Sequence, residues 1–201
     1  MKRFTILPLL GFSVLLINSC KKEAVADQRS DQLQLNKKPS ELSTSVEYTS
    51  YGGGGGGGDV CGDPTIATLF AGQHIDVGCV KVWNDEDNLY VKYETKGCWK
   101  IDEIHLYVGD CEYIPQHNGN PTPGQFPIKE SYSESTDCAT FSIPLSSLCE
   151  CVCIAAHAVV RNCCTGQEET AWGDGCDFSG ANWATYFKYC VQECDRCDKD
   201  Y

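Results

Sequence analysis

A chain of 201 residues carrying a net charge of −12 repels nucleic acid and anionic lipid, since both bring phosphate charge that only a basic surface neutralises. The length suits one domain with a true core. The 15 cysteines set it apart from ordinary intracellular proteins, whose thiols stay reduced.

The N-terminus is a secretory leader by pattern. Lys2 and Arg3 supply positive charge, and residues 4–17 are apolar apart from Pro8, Gly11 and Ser13. This stretch is shorter than the about 20 residues a membrane span needs. It ends in Ile17-Asn18-Ser19-Cys20, which resembles a bacterial lipobox, with Asn18 departing from its commonest form. The resemblance to bacterial lipoproteins implies diacylglycerol on the Cys20 sulfur, cleavage before Cys20, and acylation, such as by palmitate, of the new amine. Two or more acyl chains give stable anchoring where one does not. Lys21 and Lys22 follow without the Asp that retains lipoproteins at the inner membrane, so the resemblance implies the outer membrane of a cell envelope. Cleavage that leaves Cys20 unmodified is the alternative.

Residues 1–19 are thus expected to be the signal peptide and 20–60 a tether. Residues 21–51 are polar and charged, and Gly52 to Gly58 are seven consecutive glycines. Such a composition cannot bury enough surface to offset chain entropy. As a flexible coil the tether would reach roughly 35 Å.

Residues 61–201 form the expected domain. Residues 72–76 read as a short strand. Residues 79–83 and 89–93 alternate about Asn84-Asp-Glu-Asp-Asn88, the pattern of a hairpin. Residues 99–108 read as a longer strand, with Ile104, Leu106 and Val108 on one face and Glu103, His105 and Tyr107 on the other. A loop dense in breakers covers 118–124, and 139–145 is a strand. Residues 151–160 are apolar on both faces, which marks a central strand, with His157 sharing a face with Cys153, Ala155 and Val159. A turn at 161–167, a strand at 168–172, a Gly-rich loop at 173–180 and a final strand at 182–190 complete the chain. In that last strand Trp183 falls in phase with Phe187. Seven to eight short strands without a helix predict an all-β, antiparallel β-sandwich.

Setting Cys20 aside leaves fourteen cysteines: Cys61, Cys79, Cys98, Cys111, Cys138, Cys149, Cys151, Cys153, Cys163, Cys164, Cys176, Cys190, Cys194 and Cys197. The even number permits seven bridges, whose pairing the sequence leaves open. Export makes disulfides the default. Cys149-x-Cys151-x-Cys153, Cys163-Cys164 and Cys194-x-x-Cys197 could also supply thiolates to a metal, but no second CxxC or His pair at zinc-finger spacing accompanies them.

Several stretches between Ala71 and Tyr189 resemble an uncharacterised family of secreted and surface domains of bacteria and archaea. They are Ala71-Gly-Gln-His-Ile-Asp-Val-Gly78, Trp83-Asn-Asp85, Leu89-Tyr-Val91, Ile104-His-Leu-Tyr-Val-Gly109, Gly119-Asn-Pro-Thr-Pro-Gly-Gln-Phe126, Ile154-Ala-Ala-His-Ala-Val-Val160, Glu169-Thr-Ala-Trp-Gly173 and Asn182-Trp-Ala-Thr-Tyr-Phe187. The resemblance implies architecture and an extracellular setting, not an activity. The many cysteines depart from it.

Three groups of residues carry the candidate chemistry. His157 with His105 and Glu103 could hold zinc, for which imidazole and carboxylate are suitable ligands, and would then serve a metal-dependent envelope enzyme. Asn84-Asp-Glu-Asp-Asn88, and Asp174 with Asp177, offer oxygens to calcium, but without the EF-hand pattern. Trp172, Phe178 and Trp183 flank the Gly-rich loop and could stack on a sugar, as a carbohydrate-binding module does. No nucleophile elbow, zinc-protease motif or phosphate loop occurs. The sequence therefore points to a lipid-anchored, non-catalytic binding or structural module. Its expected contacts are the membrane through its anchor, and a surface glycan or protein, with no cofactor, no metal and no nucleic acid.

Overall fold

The computed structural model describes residues 48–51 and 60–194. The expected leader, Cys20, nearly all of the tether and Cys197 lie outside the described residues.

In chain order the strands are β1 (Thr49–Tyr51), β2 (Cys61–Ala71), β3 (Ile75–Asn84), β4 (Asn88–Thr95), β5 (Trp99–Gly109), β6 (Gln116–His117), β7 (Asn120–Pro121), β8 (Ile128–Thr136), β9 (Cys138–Pro144), β10 (Cys151–Asn162), β11 (Glu168–Gly173), β12 (Cys176–Asp177) and β13 (Thr185–Cys190). Three short 3-10 turns, Cys111–Tyr113, Pro123–Gln125 and Leu145–Ser147, are the helical elements among the described residues.

The class is all-β and every pairing is antiparallel, as the alternation predicts. Eleven strands share one sheet, and β6 with β7 forms a separate ribbon. The main order is β1-β9-β4-β3-β2-β11-β10-β5-β8. On one edge, β10 pairs β13 through residues 151–154 and β11 through residues 157–161. On its other edge it pairs β5 from Cys153 to Asn162.

The sheet curls rather than dividing into two stacked sheets. Ala71 of β2 pairs with Ala171 of β11 and joins the two halves. On the far side, β8 passes through the single residue Asp137 into β9, moving from a position beside β5 to one beside β4. Inward side chains from all the long strands therefore share one core, with Leu69, Val80, Val91, Ile104, Phe141, Ile154 and Phe187 among them. Burying a side chain of this size contributes about 1.5–3 kcal/mol.

Two of the long strands escape the sequence reading, as do the short β1, β6, β7 and β12. β2 opens with Gly62 and Pro64, both poor strand formers. β8 reads Ile128-Lys-Glu-Ser-Tyr-Ser-Glu-Ser-Thr136, nearly all polar, because only Ile128 and Tyr132 turn inward. The strand expected at 72–76 is instead mostly a turn. Gly72 and Gln73 have φ of 52° and 77°, left-handed values that end β2 before β3 begins at Ile75.

β10 is buried on both faces, as its composition predicts. One face lines the main core. The other carries Cys153 and Ala155 into a second cluster with Tyr107, Ile114, Phe126, Trp172, Phe178 and Ala184. Two loops, 110–127 and 174–184, supply the cover. They meet where the Gly180 amide donates to the Gly119 carbonyl at 2.9 Å and the Asn182 amide donates to Asn120 Oδ1 at 3.0 Å. A Cβ on Gly180 would lie 2.2 Å from Asn120 Oδ1, so this junction needs glycine.

Disulfides join Cys61 to Cys194, Cys98 to Cys164, Cys111 to Cys153 and Cys151 to Cys190, and Cys176 is also disulfide-bonded. The expectation that every cysteine is bridged fails at Cys79, Cys138, Cys149 and Cys163, which are thiols. Cys79 on β3 and Cys138 on β9 both stand opposite Glu94 of β4. They are two strand spacings apart, about 10 Å, beyond the reach of a bridge. Cys149 precedes β10 and Cys163 follows it, so about 40 Å of extended chain separates them. Burial, with Glu94 next in effect, pushes the Cys79 thiol above its usual range.

Candidate functional site

The outer face of β10 gathers most of the residues singled out from the sequence. His157 lies directly opposite His105 on β5 and directly opposite Trp172 on β11. His105 in turn lies opposite Lys129 on β8, and Trp172 opposite Phe70 on β2. One row of side chains thus crosses five strands. Direct partners in a sheet share a face, so the register alone makes these residues neighbours.

The contacts follow. His105 Nδ1 and His157 Nδ1 are 3.2 Å apart, and Glu103 Oε1 is 3.0 Å from His105 Nε2. The His157 ring centroid is 4.8 Å from that of Trp172. His157 is 7% exposed. Burial, then the neighbouring His105, lowers its pKa to about 3. Burial also lowers that of His105, against the pull of Glu103 and with the help of Lys129.

These positions fix the tautomers. A carboxylate only accepts, so His105 Nε2 carries the proton that faces Glu103. A neutral His105 then has a lone pair at Nδ1, and His157 donates to it through Nδ1–H. The remaining nitrogen of His157, Nε2, is an unprotonated base at the inner end of a Glu–His–His chain. Among the described residues His157 makes no further side-chain hydrogen bond.

The zinc trio of the sequence reading therefore assembles, but not around one point. Glu103 occupies the far nitrogen of His105, while the two Nδ1 atoms face each other. Three ligands for one ion are not met here. Among the described residues, the group of three metal-ligating atoms that do converge is Cys98, Cys163 and Cys164, within 4.8 Å of one another.

The aromatic trio divides. Trp172 and Phe178 are each 6% exposed and pack with Phe126 inside the second cluster, so neither presents a face to a sugar. Trp183 precedes β13 and lies partly exposed against the second cluster, while Phe187 enters the main core. The phase that links them in the sequence is broken because the chain turns before Thr185. A surface depression of about 330 Å³ is lined by Tyr48, Thr49, Asn88, Ser142 and Pro144, none of them in this trio.

The acidic hairpin turn uses its own oxygens. Asp85 Oδ1 accepts from the amides of Asp87 and Asn88 at 2.9 and 2.7 Å, and Oδ2 accepts from Tyr90 Oη at 2.7 Å. Burial raises the Asp85 pKa, but these hydrogen bonds together outweigh it and hold the carboxyl below its usual range. Asn84, 1% exposed, accepts from Tyr189 Oη and the Gln192 amide at 2.6 and 2.8 Å and donates to the Asp85 and Gln192 carbonyls. It locks the segment after β13 to the hairpin, a role its place in the sequence does not reveal.

No family model, no curated protein and no solved structure matches this chain.

Proposed function

We propose that this chain is an exported lipoprotein, anchored through acyl groups on Cys20, whose folded part is a non-catalytic binding or structural module of the cell envelope. The observation that carries this reading is the bridging. The Cys61–Cys194 and Cys98–Cys164 disulfides close long loops, and such bonds persist in oxidising compartments. The resemblance of residues 17–20 to a lipobox supplies the address. No described helix is long and apolar enough to cross a membrane.

The non-catalytic part rests on the outer face. The loops cover the apolar cluster, His157 is 7% exposed, and among the described residues its side chain hydrogen-bonds to His105 alone. Of the aromatic trio, Trp183, partly exposed at the edge of the cover, is the member left to meet a surface glycan or a protein. The test is expression of the full chain in a Gram-negative host with Cys20→Ser as control. The wild type is expected in the detergent-soluble outer-membrane fraction and the variant in the soluble fraction. Equal distribution of the two would refute the anchor.

A further inference from the structure

We propose that Cys98, Cys163 and Cys164 form an internal thiol–disulfide exchange site, in which Cys98 bridges either of two adjacent cysteines.

Two independent features lead there. The first is proximity: the three sulfur atoms all lie within 4.8 Å of one another, yet three sulfurs hold only one bridge. Cys98 is bonded to Cys164, and the Cys163 thiol is left beside that bond, exposed to solvent. The second is register. β5 and β10 pair Lys100 with Arg161 and Trp99 with Asn162, and the Cys163 amide donates to the Cys98 carbonyl at 2.8 Å. Cys163 is therefore the next cross-strand partner of Cys98. Such hydrogen-bonded partners have Cα atoms about 5.5 Å apart, inside the range that a bridge spans. The bond actually formed, to Cys164, has a Cα separation of 5.8 Å. The Cα spacing is compatible with both pairings, and the Cys98–Cys163 bridge needs only a small approach of the two Cβ atoms.

The exchange is balanced without an outside reagent. The Cys163 thiol loses its proton, and its thiolate attacks Sγ of Cys98. A Cys98–Cys163 bond forms as the Cys98–Cys164 bond breaks. The electron pair leaves on Sγ of Cys164, which takes up a proton. The number of disulfides and thiols is unchanged. The turn that carries both cysteines is held independently of their sulfur atoms. Asn162 Oδ1 accepts from the amides of Cys164 and Thr165 at 3.0 and 3.1 Å, and the Gly166 amide donates to the Asn162 carbonyl at 2.7 Å. The sulfurs can exchange while this frame stays in place. The result is an exposed nucleophilic thiol on the β10–β11 turn whose position alternates between two neighbouring residues.

The test uses the full oxidised chain with Cys149→Ser, which removes the other exposed thiol found among the described residues. Samples held at pH 8 and at pH 5 are trapped over time with N-ethylmaleimide under acid quench, digested, and sequenced by tandem mass spectrometry. Label is expected on Cys163 and, increasingly at pH 8, on Cys164, with the complementary Cys98 cross-link in each case. The rise should be first order, unchanged by dilution, and strongly slowed at pH 5, where the thiolate is scarce. In the same background, Cys164→Ser should yield the Cys98–Cys163 linked peptide. Label confined to Cys163 at all times in the folded chain would overturn the proposal. So would a rate that falls on dilution, which would mark exchange between molecules. So would a folded Cys164→Ser chain with Cys98 and Cys163 both unbridged.

Discussion

His157 shows how a polar residue can be held in a nearly closed layer. Its ring is kept neutral by burial and is paired through Nδ1 to His105, which Glu103 orients. In the unfolded chain a histidine protonates near pH 6.5, and in the fold His157 does so only at about 3. Between those values the unfolded state binds the extra proton. The contribution is therefore whole above pH 6.5 and is lost as pH falls, at about 1.4 kcal/mol per pH unit. His105 shifts in the same direction. His157→Gln should remove part of this acid sensitivity. Urea unfolding at pH 7 and pH 5 should show the wild type losing about 2 kcal/mol more than the variant between the two; equal losses would contradict the buried neutral ring. Asn84 is the parallel case without titration. Asn84→Ala strands Tyr189 Oη and the Gln192 amide, and should cost about 1–3 kcal/mol in the same measurement.

Among the elements, β10 and the two loops over it decide what the outer face can do. The Cys111–Cys153 bridge closes 42 residues and ties loop 110–127 onto β10. The chain-entropy estimate for a loop of that size is about 4 kcal/mol. Cys111→Ala with Cys153→Ala should lose stability of that order and shift tryptophan emission to the red as water reaches Trp172; unchanged emission would mean the cover does not depend on its staple. The strong elements were legible in the sequence. The apolar run of β10 foretold burial on both faces, and the alternation of β5 separated Ile104 from His105. That His105 and His157 would face each other was not legible, because register depends on which strands are neighbours. The same gap hid the isolation of Cys79 from Cys138. β8 was missed for a different reason: Tyr132 and Ile128 are its only large apolar residues, too few to set a period.

Among the described residues, the curled sheet encloses the main core and carries a second cluster outside β10, and its bridges hold segments far apart in sequence, Cys61 to Cys194 above all. Strong reductant should therefore lower the melting temperature well beyond the effect of any single bridge, since each contributes typically about 2–4 kcal/mol; a melt indifferent to reductant would remove the stabilising role of the bridges. The proposed role depends most on export with lipidation and oxidation. Its direct test is the intact mass of the protein extracted without reductant from the envelope of a Gram-negative host expressing the full chain. The expected mass is that of a chain beginning at Cys20, raised by acyl groups and reduced by two hydrogens for each disulfide. A mass equal to the unprocessed chain from Met1, with all fifteen cysteines as thiols, would contradict it.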